Sequence, residues 1–201
     1  MPDQRFSTMW QKLKTYKPLL VFIVSAGAVY FILKYLYLGY VGLADPNGRY
    51  DLSVFFGDYN LVMLITRAHS HLSAFILGLI GYETITSGKL LLIKGASGVR
   101  IHYACLAVEL WIALIALIVA YPIHVAKAYW WKFGGVLAGV GIIFLLNNIR
   151  IIAIVLTNHY NNSMTQTIHD IFNYVVYVFI IVFFLAWVNY FSKRQDVGHS
   201  G

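Results

Sequence analysis

The chain has 201 residues, of which 60% are hydrophobic and 11% are charged, and its lysines and arginines outnumber its acidic residues by 15 to 8. This composition excludes an ordinary soluble domain and is typical of an integral membrane protein. In a membrane protein, an excess of lysine and arginine indicates that these residues set the orientation of the chain in the membrane and contact anionic lipid, rather than bind nucleic acid. The single cysteine excludes an intrachain disulfide and a zinc site with several cysteines.

The first predicted element is a membrane span over residues 18–40. Residues 1–17 before it are polar, and the positive-inside rule places them in the cytoplasm. Their basic residues are Arg5, Lys12, Lys14 and Lys17. The apolar run is long and ends without a small-residue cleavage site, so we interpret it as a retained span rather than a removed signal peptide.

An extracytoplasmic region is expected over residues 41–102. Residues 60–81 within it have a helical pattern, but their uninterrupted apolar part is too short to cross a bilayer. Three polar residues interrupt the run, namely Arg67, His69 and His71. We therefore predict an interfacial helix. Turn-forming residues then separate short segments rich in branched side chains, which predicts a small β-meander over residues 82–104.

Residues 103–191 are predicted to form a membrane core of three helices. Their apolar runs are residues 103–121, 133–157 and 171–191. Arg150 interrupts the middle run, and a short loop with Lys127 and Lys132 precedes it. Residues 192–201 are expected to be a cytoplasmic tail.

The predicted fold class is therefore an all-α integral membrane protein with four transmembrane helices, an interfacial helix and a small β-meander on the extracytoplasmic side. Five spans result instead if residues 61–82 cross the membrane, and Cys105 then faces the cytoplasm. The positions of the basic residues do not decide between the two topologies. Four spans are favoured by Lys127, Lys132, Lys193 and Arg194, and five spans by Lys89, Lys94 and Arg100. We favour four, because Arg67 and the two histidines near it are costly in hydrocarbon.

Three chemically capable residues lie at one membrane depth in this topology. Cys105 begins the second span, Arg150 ends the spanning part of the third, and His169 precedes the fourth. A thiol attacks as its thiolate, so it needs a base or a neighbouring positive charge. Histidine exchanges protons near neutral pH, and arginine keeps its charge and can stabilise a thiolate or an oxyanion. The pattern therefore indicates a catalytic Cys-His-Arg set for acyl transfer.

Four other residues are candidates for supporting or binding roles. Glu109 lies one turn after Cys105 on the same helix face, and we expect it to pair with Arg150. Asn147 and Asn148 lie within a turn of that arginine and could bind it or the substrate. His102 is the main alternative base. Asp170 is not expected to orient His169, because adjacent helix positions face different ways.

Each catalytic candidate also has a simpler interpretation. Cys105 could be a small buried apolar residue, Arg150 an interfacial arginine whose head reaches the lipid headgroups, and His169 an ordinary residue at a helix start. His69 and His71 could suggest a metal, but two histidines without a carboxylate at ligand spacing are a weak signal, and we predict no metal and no cofactor. A small metal or ion transporter that uses His69, His71, His102 and Glu109 is the corresponding alternative function.

The order of these motifs resembles a known family. A β-like segment leads into Ala104-Cys105, a span ends in Tyr121-Pro122, Lys127 and Lys132 follow, and then come Asn147-Asn148-Ile149-Arg150-Ile151 and His169-Asp170. Together they resemble the exosortase/archaeosortase family over residues 60–191, with an Asn-x-x-Arg element in the third span. The small size is similar to that of compact members in Bacteroidetes-type bacteria.

The resemblance implies a cysteine protease or transpeptidase in the bacterial cytoplasmic membrane, with its active site facing the exterior or periplasm. Its partner would be a secreted protein whose C-terminal sorting signal comprises a short motif, a transmembrane helix and a basic end. The family's catalytic cysteine, arginine and histidine correspond to Cys105, Arg150 and His169. Many members follow the cysteine with Ser-Gly, whereas this chain has Leu106-Ala107. A non-enzymatic membrane assembly factor for surface-protein or polysaccharide export is the alternative.

Overall fold

The structure is a computed structural model that describes residues 3–44, 60–95, 98–122, 128–160 and 164–197. In these ranges the helices are α1 (Asp3–Ala44), α2 (Leu61–Leu79), α3 (Val108–Ala120), α4 (Ala128–Tyr160) and α5 (Thr165–Val197). The strands are β1 (Thr84–Ser87), β2 (Leu90–Ile93) and β3 (Val99–Arg100). A short 3₁₀ helix, Tyr103–Leu106, precedes α3 and is called the Cys105 turn below.

Four of the described helices are long and apolar enough to cross a membrane: α1 (Tyr16–Ala44), α2, α4 (Tyr129–Tyr160) and α5 (Thr165–Phe191). This confirms the predicted all-α membrane fold with four candidate spans. The four candidate spans differ from the four predicted ones at one place. They include α2, which was predicted to be interfacial, and they do not include α3, which lies at the predicted second span but has only 13 residues. A helix of that length extends about 20 Å, against a hydrocarbon thickness of about 30 Å.

The shortness of α3 has a local cause. The predicted span begins at residue 103, but the Cys105 turn occupies its first residues. Ala107 then adopts a left-handed conformation with φ 56° and ψ 21°, so the α-helix begins only at Val108. The cysteine therefore lies in a compact turn ahead of the helix and not within its first turn.

The predicted β-meander is confirmed as an antiparallel sheet in the order β1-β2-β3. Thr84 pairs with Ile93 and Leu91 pairs with Val99. The turn between β1 and β2 contains Gly88, whose φ of 56° suits a tight hairpin connection.

Among the described residues, the hydrophobic interior consists of two clusters. The first, called the helix cluster, joins α3, α4 and α5 through apolar side chains. Its buried members are Ala107, Leu114, Ile118, Ile143, Val176, Ile180, Trp187 and Phe191. Gly135 and Gly139 let the helices approach closely here, since a Cβ at Gly139 would lie 2.2 Å from Leu114 Cδ2.

The second cluster, called the sheet cluster, joins α2, the sheet, the Cys105 turn and the C-terminal half of α4. Its buried members are Leu77, Leu91, Ile93, Ile101, Leu106, Ile151 and Val155. The hydroxyl of Tyr82, after α2, also hydrogen-bonds that of Tyr160 at the end of α4. The chain passes from this cluster to the helix cluster between Leu106 and Ala107, directly after the cysteine.

The first turn of α4 differs from the prediction. α4 begins at Ala128, five residues before the predicted run, so Lys132 lies on the helix and not in a loop. Its ammonium donates to the Val119 carbonyl at 2.7 Å and so satisfies an acceptor near the C-terminus of α3. Lys127 lies outside the described residues.

Candidate active site

Cys105 is partly buried in the turn before α3. Its backbone N–H donates to the His102 carbonyl at 2.8 Å, which closes the Cys105 turn. On the other side, its own carbonyl accepts hydrogen bonds from two side chains of α4. The backbone around the cysteine is therefore held from two directions.

The two donors to the Cys105 carbonyl are Asn147 and Arg150. Asn147 Nδ2 lies 2.7 Å from the carbonyl oxygen, and Arg150 Nη2 lies 3.3 Å from it. Residues three apart on a helix lie one turn apart on the same face, so an Asn-x-x-Arg spacing directs both side chains at one acceptor. This geometry gives the Asn-x-x-Arg element a physical role, which is to anchor the cysteine to α4.

Arg150 is 4% exposed although it carries a charge. Its Nη1 donates to Asn173 Oδ1 at 2.9 Å, while its Nη2 reaches the Cys105 carbonyl. The guanidinium also interacts electrostatically with the Cys105 side chain. The Nε atom of Arg150 has no hydrogen-bond partner among the described residues, so the guanidinium keeps one N–H that can still donate.

His169 is connected to this arrangement through Asn173. The Asn173 Nδ2 atom lies 3.3 Å from His169 Nδ1, and the two residues are one helical turn apart on α5. Among the described contacts, His169 therefore reaches Cys105 through Asn173 and Arg150 rather than directly. Asp170 Oδ1 lies 3.6 Å from His169 Nδ1, which is too long for a hydrogen bond.

A pocket of about 250 Å³ adjoins these groups. Arg150, His169 and Asn173 line it together with the first residues of α3, and Tyr37 and Leu38 of α1 form its opposite wall. The pocket therefore lies between four helices, α1, α3, α4 and α5, and its lining includes Ala107, two residues after the cysteine. Its lining combines a guanidinium, an imidazole and an apolar surface.

The predicted supporting residues divide into two groups. Asn147 and Asn148 are 2% and 1% exposed and belong to the hydrogen-bonded interior, where Ser73 donates to Asn148 Oδ1 at 3.1 Å. Glu109 lines the pocket, but its ion-pair partner is Lys34 of α1 at 3.5 Å and not Arg150 as predicted. His102 is exposed and follows β3, with its carbonyl closing the Cys105 turn.

Two residues of the site escaped the sequence analysis. Asn173, which joins Arg150 to His169, could have been found because it lies four residues after His169 and so on the same helix face. His69 was interpreted as a polar interruption of the apolar run and, with His71, as a weak metal signal, whereas it is fully buried beside Asn147. The described residues contain no group of three or more potential metal ligands.

The comparison with protein families matches residues 10–186 to the transmembrane exosortase family, Exosortase_EpsH. Comparison with curated proteins gave no match, and comparison with solved structures gave none either. The fold and the buried Cys-Arg network define a multi-pass membrane protein with a polar site among its helices. Because the match extends over most of the chain, the protein belongs to the transmembrane exosortase family.

Proposed function

We propose that the protein is a membrane-embedded cysteine protease or transpeptidase that cleaves the C-terminal sorting signal of secreted proteins. The observation that carries this proposal is the single hydrogen-bonded network that connects Cys105, Arg150 and His169. Family membership supports the same chemistry. Neither depends on a metal or cofactor.

The first chemical step forms a thioester. His169 takes the proton of the Cys105 thiol, and the thiolate attacks the carbonyl carbon of the scissile peptide. The carbonyl oxygen becomes an oxyanion, which the Arg150 guanidinium stabilises. When the tetrahedral intermediate collapses, the C–N bond breaks and the leaving amine receives the proton from His169.

The second step releases the product. Water or an acceptor amine, after losing a proton to His169, attacks the thioester carbonyl, and the Cys105 thiolate leaves and regains a proton. Because Asn173 Nδ2 can only donate, its contact with His169 Nδ1 leaves that nitrogen unprotonated and places the proton of the neutral ring on Nε2. Nδ1 is therefore the atom that takes the thiol proton, once Asn173 releases it.

The position of the pocket supports a route for the substrate from the bilayer. One wall is α1 and another is α5, and large apolar residues of both helices near the pocket are exposed, among them Leu36 at 65% and Tyr174 at 73%. A substrate helix that lies between α1 and α5 would bring the peptide next to its end into the pocket. In this proposal the site lies at the extracytoplasmic surface, with residues 1–17 and 192–201 in the cytoplasm and residues 41–102 outside. In this topology α2 lies at the membrane interface, although its length and composition would allow it to cross.

The experiment is co-expression with a secreted protein, encoded near it, that has a C-terminal motif, a transmembrane helix and a basic tail. We expect Cys105→Ala to abolish cleavage while the enzyme remains in the membrane, and Cys105→Ser to be nearly as inactive because an alkoxide forms far less readily than a thiolate. His71→Ala is the matched control, since His71 is an exposed residue of α2. Unchanged cleavage with Cys105→Ala would contradict the proposal.

A further inference from the structure

His69 is a fully buried histidine outside the proposed catalytic set. It lies on α2, and its ring stacks on Phe144 of α4 with the ring centroids 4.2 Å apart. His71, two residues later, is exposed. Because buried polar groups are nearly always hydrogen-bonded, the contacts of the His69 ring indicate what it does.

The ring of His69 acts as a hydrogen-bond acceptor. Its Nε2 lies 3.4 Å from Asn147 Nδ2, and an amide nitrogen can only donate. The ring proton must then lie on Nδ1, which has no hydrogen-bond partner among the described residues. The geometry therefore requires a neutral ring that receives a hydrogen bond from α4.

The same amide nitrogen also holds the cysteine. Asn147 Nδ2 donates to the Cys105 carbonyl at 2.7 Å, so its two protons are directed at Cys105 and at His69. If the amide rotated by half a turn, its oxygen would face both the Cys105 carbonyl oxygen and the acceptor nitrogen of His69. Two acceptors on one side thus fix the amide in the orientation that binds the cysteine.

We propose that His69 is a positioning residue, which fixes the Asn147 amide and thereby the Cys105 turn that presents the thiol to Arg150. Its effect on catalysis rests on the function proposed above, but its effect on the thiol does not. The Cys105 carbonyl is held by Asn147 and Arg150 together. Loss of the acceptor on His69 leaves the Asn147 amide oriented only by its bond to the Cys105 carbonyl, so the amide and the turn it holds gain freedom to move.

The test uses two substitutions of His69 and one matched control. His69→Phe keeps a flat ring against Phe144 but removes the acceptor, whereas His69→Gln places an amide oxygen near the position of Nε2. His71→Gln makes the same chemical change at the exposed histidine. The measurements are the rate of Cys105 alkylation by iodoacetamide as a function of pH, and kcat and KM for cleavage of the co-encoded substrate.

We expect His69→Phe to slow alkylation near neutral pH by about tenfold, because a displaced thiol loses the thiolate-stabilising guanidinium. At high pH, where every thiol is ionised, its rate should approach that of the unsubstituted protein. The kcat for cleavage should fall by about tenfold or more with KM unchanged. His69→Gln should restore most of both losses, and His71→Gln should match the unsubstituted protein.

Other outcomes separate the two proposals. An unchanged alkylation profile in His69→Phe would overturn the positioning role even if cleavage depends on Cys105. A changed profile in a protein that cleaves nothing would support the positioning role and overturn the proposed function. If His69→Phe does not fold, His69→Gln is compared with His69→Asn, whose shorter amide does not reach Asn147. Equal alkylation profiles for these two would then overturn the proposal.

Discussion

The two halves of the molecule use opposite means to pack their interiors. The buried members of the helix cluster are all apolar, and its close contacts come from glycines such as Gly139. The buried polar residues lie instead between α2, the sheet and the second half of α4. They are Thr66, His69, Ser70, Ser73, Asn147, Asn148 and Arg150. One helix, α4, contributes to both halves.

This difference reflects two separate requirements. The helices must pack against one another in lipid, and the polar site needs buried groups that are hydrogen-bonded. Helices in lipid associate through close packing of small residues, and a buried polar group there is costly unless it has a partner. The Cys105 turn and α5 provide such partners, so an arginine can be buried and still keep its hydrogen bonds. Cys105 lies where the two sides meet, since Leu106 packs in one cluster and Ala107 in the other.

The largest expected effect concerns the charge on the sheet side. Arg150→Lys keeps the charge but cannot donate to Asn173 and to the Cys105 carbonyl in the same fixed geometry. We expect cleavage to fall by roughly a hundredfold or more, the scale of losing one oxyanion donor. The measurement is the cleavage rate at equal amounts of membrane-inserted protein.

Arg100→Lys is the control for this substitution, because it makes the same chemical change at an exposed residue of β3. It should cleave at the rate of the unsubstituted protein. If Arg150→Lys also did so, the planar guanidinium would have no special role, and the charge alone would suffice.

The sequence predicted the elements of the site better than their connections. The sequence was enough to select Cys105, Arg150 and His169 together as catalytic candidates. The signals were hydropathy, the lone cysteine and the position of Arg150 in an apolar run. Their links could not be read from the spacing alone, because they depend on which helix faces meet. Glu109 was therefore assigned to Arg150, whereas α1 provides Lys34 as its partner.

Local backbone geometry explains the remaining difference. The apolar run from residue 103 suggested one continuous span, since hydropathy does not distinguish a 3₁₀ turn from an α-helix. The left-handed conformation of Ala107 that separates them has no hydropathy signal. The family resemblance carried a hint, because many members have glycine at this position, and glycine is the residue that adopts such a conformation without strain.

A second prediction tests the packing of the helix side. Gly139→Ala would place a Cβ 2.2 Å from Leu114 Cδ2 and 2.9 Å from Phe183 Cε1, and Leu114 is fully buried. We expect the free energy of unfolding to fall by about 1–3 kcal/mol, the usual cost of overpacking. Thermal unfolding in detergent measures this, and the cleavage rate per folded molecule should not change.

Gly141→Ala provides the matched control on the same helix. A Cβ there meets nothing within 4 Å, so the substitution should be neutral or should stabilise α4 by up to about 1 kcal/mol. Equal destabilisation by the two alanines would contradict this explanation, because helix propensity favours both alanines and the close contact with α3 exists only at Gly139.

The smallest expected effect lies at the junction of the two halves. A left-handed conformation costs an ordinary residue about 1–2 kcal/mol, and Ala107→Gly removes this strain. The gain is offset by about 0.5–1 kcal/mol of extra chain entropy in the unfolded state and by about 0.8 kcal/mol for the lost buried methyl group. The free energy of unfolding should therefore change by less than about 0.8 kcal/mol in either direction.

Ala113→Gly makes the same change within α3, where the backbone is helical and no strain is relieved. It should destabilise the protein by about 1 kcal/mol or more. The comparison therefore depends on backbone conformation alone, and thermal unfolding of the two variants measures it. If both glycines were equally destabilising, Ala107 would not be strained, and the Cys105 turn would have to be continuous with α3. In a continuous helix the Cys105 carbonyl would no longer face Asn147 and Arg150 of α4. The difference in stability between the two glycine variants therefore also tests how the thiol is placed beside Arg150.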